Sequence, residues 1–194
     1  MGEKSEQKKQ YILEKARKVF MEKGYKNVTM KDIVEACDIS RGGLYLYFDS
    51  PKAVFMEVLN METEETDDVF AGSIDEEAAA SDILALFLKE QKKELLRKNN
   101  TLTVATYEFF FENKVSKRDN TLRTQFDTAV KIIEKLIAEG VETEEFYCED
   151  PLGMARNIMY VLEGLKISSQ TMGISEASVD RELLYIMQGL VIEE

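Results

Sequence analysis

Only two prolines interrupt the 194 residues, Pro51 and Pro151, and each directly follows a good helix-capping residue, Ser50 and Asp150. Proline in that place starts a helix, because its missing N–H is one the first turn leaves unbonded anyway. Between the prolines and beyond them, apolar residues recur at helical spacing. Ile12, Leu13, Ala16, Val19 and Phe20 form a stripe that ends before Gly24, a C-terminal stop. Thr29, three residues before Asp32, has the layout of a capping box for a short second helix with Ile33 and Val34. Ser40 caps a third helix with Leu44 and Phe48 on one face, and Ser50-Pro51 opens a fourth with Val54, Phe55, Val58 and Leu59 facing inward. The polar stretch from about Glu62 to Ala80 reads as partly loop. Further helices are expected to Asn99-Asn100, over 101–115, over about 119–139 with Gly140 as terminator, over 151–172, and from Ser175 to about Ile192. No alternating run bounded by turns marks a strand. The fold class is therefore all-α, with a three-helix N-terminal unit at 1–52 and a longer helical body at 53–194.

Residue types remove several chemistries. The chain has no histidine, which excludes His-based acid–base work, Ser-His-Asp triads and His-ligated metals. Cys37 and Cys148 give neither a disulfide framework nor metal-ligand spacing. No glycine-rich phosphate loop occurs. The expectation is a non-enzyme without metal or cofactor. No apolar run approaches the roughly 20 residues of a membrane span, and the charged start MGEKSEQKKQ is no signal core, so a cytoplasmic location without membrane contact is expected. Charge is divided unevenly. Residues 1–50 carry ten basic and eight acidic residues, whereas the remaining 144 carry fifteen and twenty-nine. A basic head on an acidic body suits a head that approaches a polyanion, although acidic bodies are also common in soluble proteins.

The second and third helices, separated by Cys37-Asp38-Ile39, have the layout of a helix-turn-helix. The third begins SRGG, and Gly42 and Gly43 let its backbone come close to a groove. Leu44 and Phe48, four apart, anchor it. Tyr45 and Tyr47 fall away from that anchor and offer hydroxyls to phosphates, and Arg41 is a candidate for a base edge or a phosphate. Read blandly, residues 40–48 are a short core helix.

The segment TMKDIVEACDISRGGLYLYFDSPKAVF, residues 29–55, resembles the signature of the tetracycline-repressor (TetR) family of bacterial transcription regulators. Thr29, Ile33, Ile39, Ser40, Gly42, Leu44, Tyr45 and Phe48 stand in register with it, and ILEKARKVFMEKGYKNVTM matches the family's first helix. The resemblance implies that Thr29 and Lys31 contact the DNA backbone, that Arg41, Gly42, Gly43, Leu46 and Tyr47 face the major groove, and that Tyr45 binds phosphate. Two positions depart from the pattern. Asp38 stands where the family has Gly, and Asp tolerates the left-handed backbone such a turn needs. Pro51 stands where the family often has a phosphate-binding Lys, which leaves Lys52 as the candidate, about 100° further round the helix.

The resemblance also implies a ligand-responsive repressor that binds a double-stranded DNA operator as a homodimer and is released by a small effector. Two helix-turn-helix units about 34 Å apart read two half-sites, so the mechanism calls for a twofold pair. The dimerisation candidates are Ile158, Val161, Leu162 and Leu165 on one helix, with Leu183, Met187, Leu190 and the neighbouring Leu184 and Val191 on the last, with Gly164 and Gly189 permitting close approach. The same stripes also suit the chain's own core. The stretch VATYEFFF turns aromatics through more than one face. Tyr107, Glu108, Phe111, Phe126, Met159 and Tyr160 are the effector-binding candidates, and an aromatic cage with a carboxylate suits a small hydrophobic molecule, a cation among them. An aromatic core with surface glutamates is the alternative. Two other functions stay open: an all-α adaptor with a vestigial helix-turn-helix, and an enzyme using the pair Glu108 and Glu112.

Overall fold

The computed structural model describes residues 2–72, 78–97 and 101–190, and within 64–72 the backbone alone. Val191, Ile192 and Asn99-Asn100 lie outside the described residues. Among these residues there are nine α-helices and no strand, and they form two compact units. One comprises 1–69 with 98–121, the other 70–97 with 122–194. The unit around the head thus takes in residues 53–69 and 98–121 as well as 1–52.

In the first unit, α1 (Glu3–Lys23) buries the stripe Ile12, Leu13, Ala16, Val19 and Phe20. It packs against α2 (Met30–Cys37), α3 (Arg41–Tyr45) and the early turns of α4 (Pro51–Gly72), whose Val54, Phe55, Val58 and Leu59 are buried. The fourth partner is α6 (Thr103–Glu112), which adds Ala105 and Phe109 to the same core. Phe55 is ringed by aromatics, with centroids 4.6 Å from Phe20, 5.3 Å from Tyr25 and 5.2 Å from Phe109. Each fully buried Phe contributes about 1.5–3 kcal/mol by its area alone.

A carboxylate fastens α6 to the loop after α1. Glu108 Oε2 accepts the backbone N–H of Tyr25 at 2.7 Å and of Lys26 at 3.1 Å. Gly24, at φ +73°, makes room for it, since a Cβ there would stand 2.6 Å from that oxygen. One turn on, Glu112 pairs with Lys26 at 3.2 Å.

The second unit holds α5 (Ala80–Leu96), α7 (Thr121–Glu142, from Leu122 onward), α8 (Pro151–Thr171) and α9 (Glu176–Gln188). Leu84, Ile133, Ile137, Ile158, Leu162 and Leu190 are its largest fully buried aliphatics. Asp150 caps α8 by accepting Gly153 N–H at 2.9 Å, and Ser175 caps α9 by accepting Ser178 N–H at 3.1 Å. Lys92 of α5 bridges Glu176 at 2.8 Å and Asp180 at 2.5 Å on α9.

The N-terminus of α5 is capped from a distance. Ala79 supplies no side chain, and Glu145 instead accepts Ala80 N–H at 3.2 Å and both the N–H and hydroxyl of Ser81 at 2.9 and 2.7 Å. The bonds from Ser81, its amide first, then from Thr143, hold the Glu145 carboxyl down at about 2, against an ordinary 4.5. Because the ionised form is the one the fold favours, its contribution is complete above about pH 4.5 and is lost as the pH falls toward 2. Glu145→Gln is expected to lower stability at neutral pH and to flatten the loss of stability below about pH 4.5. Urea unfolding of parent and variant across pH 3–7 checks both.

Two helix ends differ from the sequence reading. The stretch from Glu62, expected to be partly loop, stays helical to Gly72, because no Gly or Pro interrupts the backbone ladder after Pro51. Gly140, expected as a terminator, lies inside α7, which runs to Glu142. Its role is packing: a Cβ there would meet the Phe146 ring at 2.2 Å, and its carbonyl accepts the N–H of Glu145 and of Phe146 as the chain folds back.

Candidate nucleic-acid interface

The reading head is built from local caps. Thr29 Oγ1 accepts Asp32 N–H at 3.3 Å, while Asp32 Oδ2 accepts Thr29 N–H at 2.8 Å, the reciprocal box that starts α2. Lys23 hydrogen-bonds Asp32 at 2.5 Å and, with Thr29, holds its carboxyl well below the usual carboxylate range. Asp38 ends α2 at φ 50°, ψ 46°, in the left-handed conformation expected of it as a substitute for glycine. Ser40 Oγ then accepts Gly43 N–H at 3.1 Å and starts α3. After Tyr45 the chain continues in single turns, with Leu46, Tyr47 and Phe48 donating back to Gly42, Leu44 and Leu44.

This geometry sorts the residues of the third helix. Leu44 and Phe48 are buried and seat it in the core. Arg41, Gly42, Tyr45 and Leu46 are exposed, Leu46 at 82%. An exposed leucine beside an arginine and a tyrosine fits a groove that offers thymine methyls and phosphates. The Arg41 guanidinium lies 5.5 Å from the Tyr45 ring centroid, a cation–π contact that orders both side chains on the exposed side. Around Gly42 a Cβ would meet nothing within 4 Å, so the fold itself does not require glycine there. Gly43 is tighter, 3.1 Å from Ser40 Oγ.

The remaining candidates fall as follows. Thr29, Lys31 and Lys52 are exposed, and among the described residues Lys31 is engaged only by Glu35 at 3.6 Å across one turn, a surface pair worth about 0.3–0.5 kcal/mol. Tyr47 is half-buried, and its hydroxyl accepts a bond from Ser5 at 3.4 Å. That link between α1 and the recognition turn has no signal in the sequence, since the partners are 42 residues apart.

The effector-binding candidates divide between the units. Tyr107, Glu108 and Phe111 lie on α6 in the first unit; Phe126, Met159 and Tyr160 lie in the second. Glu108 is engaged by the amides of Tyr25 and Lys26. Phe111 is 81% exposed and stacks 6.4 Å from Tyr107. Phe126 and Tyr160 make a ring pair at 5.1 Å, and Met159 is buried in its own unit's core.

Most of the dimerisation candidates are taken up inside the second unit. Ile158, Leu162, Leu165, Leu183 and Leu190 are buried there, and Val161 and Met187 are partly buried against the same core. Among the residues that α8 and α9 leave exposed are Tyr160, Gly164 and Ile167 on α8, at i, i+4 and i+7, and Leu184 and Tyr185 on α9; of these Gly164 and Leu184 belong to the dimer face expected from the sequence.

An anchored short helix that follows a capped turn and displays Arg41, Gly42, Tyr45 and Leu46 is the reading element of a helix-turn-helix DNA-binding regulator. A family model of bacterial regulatory proteins of the tetR family matches residues 12–58, and one of a tetracyclin repressor-like C-terminal domain matches residues 83–180. The chain belongs to the TetR family of transcriptional regulators. It is 30% identical over 142 residues to the HTH-type transcriptional regulator YfiR of Bacillus subtilis (strain 168), covering 73% of this chain and 69% of that one. It is 37% identical over 54 residues to the HTH-type transcriptional regulator QacR of Staphylococcus aureus, 28% of this chain and 29% of that one. The fold is shared with a TetR transcription regulator from Haloarcula marismortui, at TM-score 0.82 and 14% identity, covering 95% and 96% of the two chains. It is shared too with reduced NemR of E. coli, at TM-score 0.79 and 12% identity, covering 96% and 100%. The family is one of DNA-binding regulators rather than of enzymes, and the adaptor alternative is not favoured.

Proposed function

We propose that this regulator is a repressor that binds its operator as a twofold dimer and leaves it when a small hydrophobic molecule binds. DNA reading lies in residues 1–52, and sensing and dimerisation in 53–194. The observation that carries the reading is the exposed face of α3, with Arg41 and Tyr45 ordered against each other and Leu46 bare beside them. Arg41 reaches a base edge or phosphate, Leu46 a thymine methyl, and the Tyr45 hydroxyl a phosphate. Thr29, Lys31 and Lys52 add backbone contacts. Repression is supported by relatives that carry that description: DhaR of Mycobacterium sp. (strain GP1) is a transcriptional repressor, 35% identical over 51 residues, and NalD of Pseudomonas aeruginosa, whose fold matches at TM-score 0.67, is the secondary repressor of the MexAB-OprM multidrug efflux pump.

A second copy of the chain is the partner that the exposed stripes of α8 and α9 suit, with Gly164 open for close helix approach. Effector binding then favours a dimer in which the two α3 helices no longer match the half-site spacing. Complete release requires the effector to prefer that form by about 5.5 kcal/mol. The ring pair of Phe126 and Tyr160 supports an apolar or cationic effector, since two tilted rings offer both an apolar surface and π-faces.

The test is a gel shift with the DNA upstream of the protein's own gene. Arg41→Ala is expected to weaken binding by about 1–3 kcal/mol, the worth of a good base contact. Tyr45→Phe should cost about 1 kcal/mol, one hydrogen bond. Both should melt like the parent. Unchanged binding in both variants would show that α3 does not read the DNA.

A further inference from the structure

Helix α1 begins at Glu3, nine residues before its first core residue, Ile12, so more than two turns project past the stripe that seats it. Four contacts hold this projection in place. Ser5 bonds the Tyr47 hydroxyl at 3.4 Å, Lys9 pairs with Glu57 at 2.6 Å, Gln10 reaches Met61 Sδ at 3.3 Å, and Tyr11 donates to the Cys37 carbonyl at 3.2 Å. The extension therefore lies along α4 and beside the recognition turn. Lys8 Nζ stands 3.9 Å from the point where a Cβ on Gly43 would be, directly over the first turn of α3. Lys4 precedes it by one turn and shares its face, while Glu3 and Glu6 point about 120° and 180° away around the helix.

The charges of the head separate into two groups. Lys9, Arg17, Lys23, Lys26 and Lys31 each have a carboxylate partner. Among the described residues no carboxylate pairs with Lys4, Lys8, Lys15, Lys18 or Arg41, and of these Lys4 and Lys8 are the ones exposed on the extension. Lys8 stands over the first turn of α3 and Lys4 shares its face one turn earlier, so both are placed for the phosphates flanking a groove that α3 enters. We propose that Lys4 and Lys8 extend the DNA contact along the sugar-phosphate backbone, with Ser5 as a positioning residue that ties the extension to Tyr47. The inference rests on the operator-binding reading above and adds two sequence-independent phosphate contacts per subunit to it.

Salt dependence is the readout, because each phosphate neutralised adds about 0.9 to the slope of log affinity against log salt. The experiment compares the full-length parent with Lys8→Gln, Lys8→Arg and Lys18→Gln on the upstream DNA and on a scrambled duplex, from 50 to 200 mM salt. Lys18 lies about 15 Å further along α1 and serves as the charge control. Lys8→Gln is expected to reduce the slope by about 1.8 for a dimer, so that its loss of affinity is about tenfold greater at 50 mM than at 200 mM salt. The loss should be the same on both duplexes. Lys8→Arg should keep the parent slope, and so should Lys18→Gln. A parent that binds its upstream DNA steeply while Lys8→Gln keeps the same slope overturns this contact and leaves the operator reading intact. An equal fall in slope for Lys18→Gln also overturns it, as a general charge effect. A parent that does not prefer its upstream DNA overturns the operator reading, and this inference with it.

Discussion

Gly42→Leu is expected to leave the fold intact and to reduce operator affinity by at least about 100-fold, or roughly 2.7 kcal/mol. A Cβ at this position meets nothing within 4 Å, so the new side chain grows into solvent in the free protein. Leucine is the better helix former by up to about 0.8 kcal/mol, which makes the variant as stable as the parent or slightly more so. In the proposed complex the same side chain would stand where backbone and groove come together, and would hold the helix off the bases. Equal melting curves with loss of the gel shift would establish that Gly42 serves DNA approach and not folding. A variant that binds like its parent would place the groove elsewhere on the head. Gly43 is the less informative position, because a side chain there also crowds the Ser40 cap at 3.1 Å.

Phe55→Ala is expected to destabilise the first unit by about 3–5 kcal/mol. Phe55 is fully buried and touches rings from α1, from the loop after it and from α6. Removing it leaves a cavity that three other aromatics line and cannot readily fill. Against a total stability of about 5–15 kcal/mol, that is a large share of what keeps the head folded. Phe111→Ala is the contrast, an aromatic of the same type on α6 that is exposed, and it should change stability by no more than about 0.5 kcal/mol. Urea unfolding of both variants measures the difference. Similar midpoints for the two would contradict the packing around Phe55.

The pattern that separates these two phenylalanines is only half visible in the chain. VATYEFFF places aromatics on every side of its helix, and periodicity cannot say which side meets a neighbour. The head was more legible. Thr29 with Asp32, Ser40, Asp38 and Ser50-Pro51 are local signals whose partners lie within four residues, and each acts as its spacing predicts. The stripe of α8 was legible as apolar but not as to its partner: Ile158 and Leu162 turn into the core of their own unit, and the exposed Tyr160, Gly164 and Ile167 make the second face.

What the chain alone determined is whatever acts over a few residues: nine stretches of helical repeat, their caps, and a recognition element whose anchors and exposed residues alternate around one short helix. What only the tertiary structure decided is what joins residues far apart in sequence. Glu108 closing on Tyr25 and Lys26, Glu145 capping α5, Gly140 lying under Phe146 and Ser5 meeting Tyr47 are of this kind. The physical reason is that a cap or a turn is satisfied by its own neighbourhood. A carboxylate can satisfy any pair of free amides, and which pair it meets is set by how the helices pack.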